Sequence, residues 1–242
     1  MLDLDTYKVF GSEGSGNQKK LWVGDTLIKL NSKYHEAEKE YSAYMFGKLL
    51  GFPVIEYKKG RYVYNGVTYN GCECKSFKQP KEESFTLYTL LEFVAIPANL
   101  SASDYFNLTI NAIEEYTSGK ITKQHASVYL KNMMLFDYLI CNSDRHLSNI
   151  EILYNNGAWR FAPYFDNGQT FLLRDGMPSK SQFEKALRDF KTLPFSRNPV
   201  KNLIDLDYAK RFTKGIDTNK VKSLNINSYH KRVILHQINT LL

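Results

Sequence analysis

Between Phe136 and Gly168 the chain reads FDYLICNSDRHLSNIEILYNNGAWRFAPYFDNG. Asp144, Arg145, His146 and Asn149 fall together in a polar stretch that reads as a loop after a helix. Ile150 to Tyr154 and Trp159 to Tyr164 read as two strands, and Asn155-Asn156-Gly157 between them is a strong hairpin turn. Asp166-Asn167-Gly168 comes just past the return strand, so the hairpin carries Asp166 back beside Asn149. A carboxylate, an amide five residues on and a second carboxylate after a hairpin are the groups that phosphoryl transfer requires. The first, Asp144, can accept the proton of an attacking hydroxyl. Asn149 and Asp166 can hold Mg²⁺ on the phosphates of ATP. Asp and Asn also occur in plain capped turns, where they satisfy backbone donors. The second carboxylate, placed by the hairpin, favours the chemical reading.

The interval from Asp144 to Asn149 is the one that protein kinases use between catalytic Asp and metal-binding Asn, in the string H-R-D-L-x-x-x-N. Here the trio is rearranged to Asp-Arg-His, and His146 joins Asp144 as a catalytic candidate. The spacing predicts a kinase.

Such a reaction needs elements that present the nucleotide. Tyr7 to Phe10, Lys20 to Val23 and Thr26 to Leu30 read as strands, the last two joined by a turn at Gly24-Asp25. Lys29 sits mid-strand among apolar neighbours, where an outward-facing charge is the ordinary reading. Its setting points further. Upstream lies a glycine-rich stretch, Gly11-Ser12-Glu13-Gly14-Ser15-Gly16, whose backbone could close over phosphates. Its G-x-x-G-x-G spacing departs from the kinase G-x-G-x-x-G. Downstream, Lys33 to Leu50 has helical spacing and carries Glu36, Glu38 and Glu40. A strand Lys paired with a helix Glu positions the ATP phosphates in kinases. Glu36 and Glu40 share a face. Glu40, beside the apolar run YSAYMFGKLLG, is the chosen partner, with the other two expected to face solvent. Val54 to Tyr57, Arg61 to Tyr64 and Gly71 to Phe77 read as further strands, Gln79 to Ser84 as a linker, and the remainder as mostly helical. The expected plan is α+β and bilobal, with a strand-rich lobe over residues 1–78 and a helical lobe over 79–242. ATP would lie in the cleft between them.

The 242 residues and 43% hydrophobic content suffice for a large core. No apolar run is long enough for a membrane span, and the start, MLDLDTYKVF, lacks the pattern of a signal peptide. Three cysteines, Cys72, Cys74 and Cys141, make neither a disulfide framework nor a zinc set, so a reducing cytoplasm is expected. The net charge of +7 is concentrated after Met177, where 13 Lys or Arg face 5 Asp or Glu. Those charges are scattered, which favours a solvated helical surface over a nucleic-acid patch, and Phe183 and Phe190 lack the spacing of a stacking platform.

Several stretches together resemble the HipA-like serine/threonine kinases, and among them most of all the short CtkA-type members. They are IKL around Lys29, EYSAYMFGKLLGFPV from Glu40, CECKSF, ICNSDRHLSN and FDNG, which span about two-thirds of the chain. The resemblance implies a kinase-like fold, ATP and Mg²⁺ as cofactors and a protein Ser or Thr as acceptor. Asp144 would be the base and Asn149 and Asp166 the metal ligands. CECKSF would lead into a hinge, placing Glu73, Lys75 and Phe77 with Gly11, Gly14, Gly16 and Lys29 around the nucleotide. Some relatives autophosphorylate near the glycine-rich loop, which makes Ser12 and Ser15 candidates and implies self-association during that reaction. Full-length HipA proteins have a further N-terminal subdomain that contacts an antitoxin, and the present chain starts almost at the loop. Phosphoinositide kinases share a D-R-H-x-x-N string, so a lipid or small-molecule kinase is the enzymatic alternative. The stretch QTFLLRDGMPSK, with two basic residues, favours a protein acceptor over an anionic lipid. A non-catalytic nucleotide-binding module is disfavoured because all four key side chains are present.

Overall fold

The computed structural model describes residues 1–11, 18–97, 99–172, 180–190 and 206–242. In the first lobe β1 (Leu2–Asp3), β2 (Phe10–Gly11), β3 (Lys20–Val23) and β4 (Thr26–Leu30) precede α1 (Glu36–Leu49), and β5 (Lys58–Tyr64) and β6 (Val67–Lys75) follow it. The six strands form one sheet in the order β1-β5-β6-β4-β3-β2. Tight turns set the registers. Gly24 takes φ +60° between β3 and β4, and Asn65-Gly66 takes φ +53° and +70° between β5 and β6. Positive φ at both central residues is the hairpin geometry that matches strand twist. Strand alternation then puts Leu27, Lys29, Cys72 and Cys74 on one face through the pairs Leu27↔Cys74 and Lys29↔Cys72. The Asn31 side chain caps α1 by accepting from the Ala37 and Glu38 amides. Ser32 donates its hydroxyl and amide to the Glu36 carboxylate.

The second lobe starts with β7 (Glu83–Thr86), whose first two residues fall in the expected linker at 79–84. This strand pairs antiparallel with β8 (Glu151–Asn155), and β8 pairs with β9 (Ala158–Phe161). The expected strand over Val54 to Tyr57 is reduced to a single bridge between Val54 and Tyr164. Its backbone is used between lobes instead. Tyr164 donates to the Pro53 carbonyl at 2.6 Å, and Ile55 donates back to Tyr164.

Helices α2 (Leu87–Leu91), α3 (Ala102–Tyr116) and α4 (Lys123–Ile140) lead to the polar loop, and α5 (Lys180–Arg188), α6 (Leu206–Lys214), α7 (Thr218–Ser223) and α8 (Ser228–Leu241) complete the lobe. From Met133 to Ile140 every residue of α4 is buried, as expected of a helix apolar on all sides. The single charge in that stretch is Asp137. Helix α8 lies against α4, and Gln237 donates to the Tyr138 carbonyl at 2.8 Å. Lys210, Arg211, Lys214, Lys220 and Lys222 are exposed on α6 and α7. Among the described residues no helix is long and apolar enough to cross a membrane.

Candidate active site

The polar loop is shaped from the end of α4. Cys141 takes a left-handed conformation, φ +51°, which turns the chain out of the helix. Asn142 then donates from its backbone and its side chain to Asp137, at 2.8 and 2.9 Å. The Asn142 side-chain oxygen accepts from the Asp144 amide at 3.0 Å, and the Asp144 carbonyl accepts from Asn149 Nδ2 at 2.9 Å and from the His146 amide. The backbone of Asp144 is thus held on both sides while its carboxylate stays half-buried. Burial raises the Asp144 pKa, His146 opposes the rise, and the nearby Asp166 carboxylate adds to it. A carboxylate with a raised pKa is a better proton acceptor for a hydroxyl.

Arg145, fully buried, ties this loop to the segment that carries Asp166. Its Nε and one terminal nitrogen bind both oxygens of Asp137 at 3.0 and 3.1 Å. That nitrogen also donates to the Asn167 side-chain oxygen at 2.6 Å. The other donates to the carbonyls of Asn149 and Phe165 at 3.1 and 2.6 Å. Every one of the five guanidinium donors has an acceptor. Burial pushes the Asp137 carboxyl up, and the guanidinium beside it pulls the other way.

Across the cleft, Lys29 is 3% exposed and Glu40 is fully buried, and the two form an ion pair. Lys29 also donates to Asp166 at 3.0 Å. Glu40 uses its second oxygen to accept from the Asn167 amide at 2.9 Å, so one carboxylate binds both the Lys29 strand and the Asp166-Asn167 segment. Burial would lower the Lys29 pKa, but the Glu40 carboxylate overcomes it and holds the ammonium charged. Asp166 sits at φ +55°, in the left-handed region that Asp enters more readily than most side chains other than glycine. Burial alone would raise its carboxyl, yet the ammoniums of Lys29 and Lys20 hold it well below the ordinary carboxylate range.

Lys20 was not among the residues singled out from the sequence. It pairs across the hairpin with Lys29 and reaches Asp166 at 3.2 Å. Asp137 and Asn167 were missed as well. The sequence signal for Asp137 is a lone acid in the apolar helical run MMLFDYLI.

A cavity of about 280 Å³ opens between the lobes, lined among others by Lys20, Trp22, Lys29, Tyr57, Cys74 and Asp166. Lys75 and Phe77 line it too. The Lys75 ammonium is drawn outward to Asp25 at 2.6 Å, and Phe77 stacks on Phe165 with ring centres 5.4 Å apart. Glu73 does not join them. Alternation along β6 turns its side chain to the opposite face, where it accepts from the Tyr62 hydroxyl at 3.0 Å. Gly11 ends β2 and is exposed, while Gly14, Gly16, Ser12 and Ser15 lie outside the described residues. Glu36 and Glu38 also differ from expectation. Glu36 is 3% exposed because it caps its own helix start through Ser32, and Glu38 is half-buried.

The donor set suits Mg²⁺. Asn149 spends its amide nitrogen on Asp144, which leaves its carbonyl oxygen as the atom to offer a cation, and Asp166 supplies an ionised carboxylate. Hard oxygen ligands in small number, completed by phosphates and water, are what Mg²⁺ takes. Among the described residues no three His, Cys, Asp or Glu side chains gather as an all-protein metal cage.

Lys29→Met is expected to weaken nucleotide binding and also to lower stability, because the buried Glu40 carboxyl is left without its partner. Adding Glu40→Gln should restore the melting temperature and leave the binding defect in place. A surface lysine would change stability by no more than about 0.5 kcal/mol and leave binding intact.

No family model and no curated protein matches the sequence. Solved structures do. The Helicobacter pylori proinflammatory kinase CtkA superposes with a TM-score of 0.62 at 19% identity, over 100% of this chain and 94% of that one. HipA from the Shewanella oneidensis HipA, HipB and operator DNA complex gives a TM-score of 0.55 at 14% identity, over 96% of this chain and 64% of that one. At these identities the likeness shows the fold, a curled β-sheet lobe over a helical lobe, and the chain is a structural relative of CtkA and HipA with the HipA-like kinase fold.

Proposed function

We propose that this protein is an ATP-dependent protein serine/threonine kinase. The observation that carries the reading is the meeting of Lys29 and Glu40 from the first lobe with Asp166 from the second, in a segment that Arg145 ties to the loop of Asp144 and Asn149. In this reading the nucleotide base enters the cavity beside Phe77 and Cys74, and Lys29, fixed by Glu40, binds the α- and β-phosphates. Asn149 and Asp166 would hold Mg²⁺, which when bound neutralises phosphate charge. Asp144 accepts the proton of the acceptor hydroxyl as its oxygen bonds to the γ-phosphorus and the bond to the β-phosphate oxygen breaks, releasing ADP. His146, whose charge bears on the Asp144 carboxyl, tunes that base. A protein acceptor is favoured over an anionic lipid by the scarcity of basic residues in QTFLLRDGMPSK. Autophosphorylation at Ser12 or Ser15 belongs to the same proposal, as does the self-association it would entail.

Incubating the chain with labelled ATP and Mg²⁺, alone and with a generic protein acceptor, tests this directly. Phosphoserine or phosphothreonine on the acceptor is the expected product, and label that appears only in inositol lipid vesicles would replace the protein reading with the lipid one. Asp166→Ala should cost the magnesium-dependent part of ATP affinity, roughly tenfold or about 1.4 kcal/mol. Calorimetry with and without Mg²⁺ measures it, and an unchanged magnesium dependence would reduce Asp166 to a turn residue.

A further inference from the structure

Helix α1 is held on two opposite sides. Glu36 and Glu40, one turn apart, face the segment that carries Asp166. Glu40 binds Lys29 and the Asn167 amide, and Glu36 packs so closely on Gly168 that a Cβ there would lie 3.2 Å from the Glu36 Cβ. Glu38 and Ser42, again one turn apart, face the end of the chain. Asn227 donates to Glu38 at 3.5 Å, and Ser42 Oγ shares a hydrogen bond of 2.8 Å with His230 Nδ1 on α8. At 3.6 residues per turn, Glu40 and Ser42 project about 200° apart around the helix. The two anchors therefore oppose rotation of α1 about its own axis, the motion that would swing Glu40 out of the cleft.

His230 is built into this position. Its ring is 1% exposed and stacks on Phe171, with centres 4.1 Å apart and planes 15° apart. Phe171 follows the Asp166 segment, takes φ +60° and donates its amide to the Ile140 carbonyl at the end of α4. One imidazole thus touches the Glu40 helix, the stretch after Asp166 and the C-terminal helix. Burial, with Lys39, Lys59 and His35 nearby, pushes the ring down to about 3, so it is neutral at physiological pH. The contact is a constant one.

We propose that His230 is a positioning residue for Glu40: through Ser42 and Phe171 it locks α1 at the rotation that pairs Glu40 with Lys29, making the C-terminal helix part of the catalytic machinery. The kinetic half rests on the kinase reading, and the geometric half stands without it.

Three variants of the full chain decide the matter. Ser42→Ala removes the hydroxyl with little change of volume, His230→Phe keeps the stack on Phe171 and loses the hydrogen bond, and His230→Gln can restore that bond. Displacements of about 1 Å remote from the chemistry cost up to 10²-fold in rate. We expect Ser42→Ala and His230→Phe to lower kcat by about tenfold or more with KM for the acceptor unchanged, and His230→Gln to recover part of it. Amide exchange within α1, measured without nucleotide, should accelerate in the first two variants and return toward wild type in the third. A lowered melting temperature with wild-type kcat and wild-type α1 exchange would mark a merely structural contact and overturn the proposal. If wild type itself transfers no phosphate, the kinase reading fails and exchange still decides the coupling. Acceleration confined to α1 and residues 166–171 supports it, and unchanged or uniformly faster exchange overturns it.

Discussion

Asp144→Asn is expected to lower phosphate transfer by roughly 10²–10⁴-fold, the usual worth of a general base, while MgATP affinity is retained. The substitution keeps the shape of the side chain and touches none of the bonds that fix the loop, since those run through the Asp144 backbone to Asn142, His146 and Asn149. Loss of activity with intact binding therefore isolates the proton acceptor. The pH profile adds a second mark. Burial raises the Asp144 pKa above the ordinary aspartate value of about 3.9, so wild-type kcat should fall as pH drops through that raised value and the carboxylate takes up its proton. Residual activity in Asp144→Asn should lack that acid limb. Wild-type turnover in the pure variant would remove Asp144 from the mechanism.

Asp137→Ala should be the most destabilising single change near the site, by about 3–5 kcal/mol, the cost of leaving a buried charge unpaired. Asp137 and Arg145 are both completely buried, and Asp137 also accepts from Asn142. Removing the carboxylate strands the guanidinium and frees the start of the loop. The double variant Asp137→Ala, Arg145→Leu should recover part of that stability in urea unfolding. It should still transfer no phosphate, because Asn149, Phe165 and Asn167 lose their common donor. A loss below about 1 kcal/mol for Asp137→Ala would mean that the arginine charge finds compensation elsewhere.

The parts of the fold that were legible in the sequence are those where local chemistry decides. Asn155-Asn156-Gly157 announced its hairpin, and the strand pair at 20–30 followed from alternation around Gly24. Asn65-Gly66 carries the same kind of signal, yet the strands beside it, rich in Lys, Tyr and Asn, reach beyond the stretches 61–64 and 71–77 that residue type marks. The misread segments are those settled by distant partners. Val54 to Tyr57 has strand-like residues but gives its backbone to Tyr164, and Glu83-Ser84, at the end of the linker-like stretch 79–84, becomes strand only when β8 arrives to pair with it. At the site, spacing alone marked Asp144, Asn149 and Asp166. Lys20 could not be found that way, because its importance lies in standing opposite Lys29 across a hairpin. Glu73 shows what spacing does not carry: its carboxylate is taken up by the Tyr62 hydroxyl, a partner on the neighbouring strand β5.

The saturated arginine beside Asp144 has a consequence for signalling. In a kinase whose activation segment is switched by phosphorylation, ordering follows when a new phosphate captures an arginine that still has donors to give. Arg145 has none: its five N–H groups are spoken for by Asp137, Asn149, Phe165 and Asn167. A phosphate added beyond Gly168 could be received there only by dismantling the loop that holds Asp144. This arginine is a keystone rather than a receiver, and a covalent on-switch addressed to it would be answered by loss of the site.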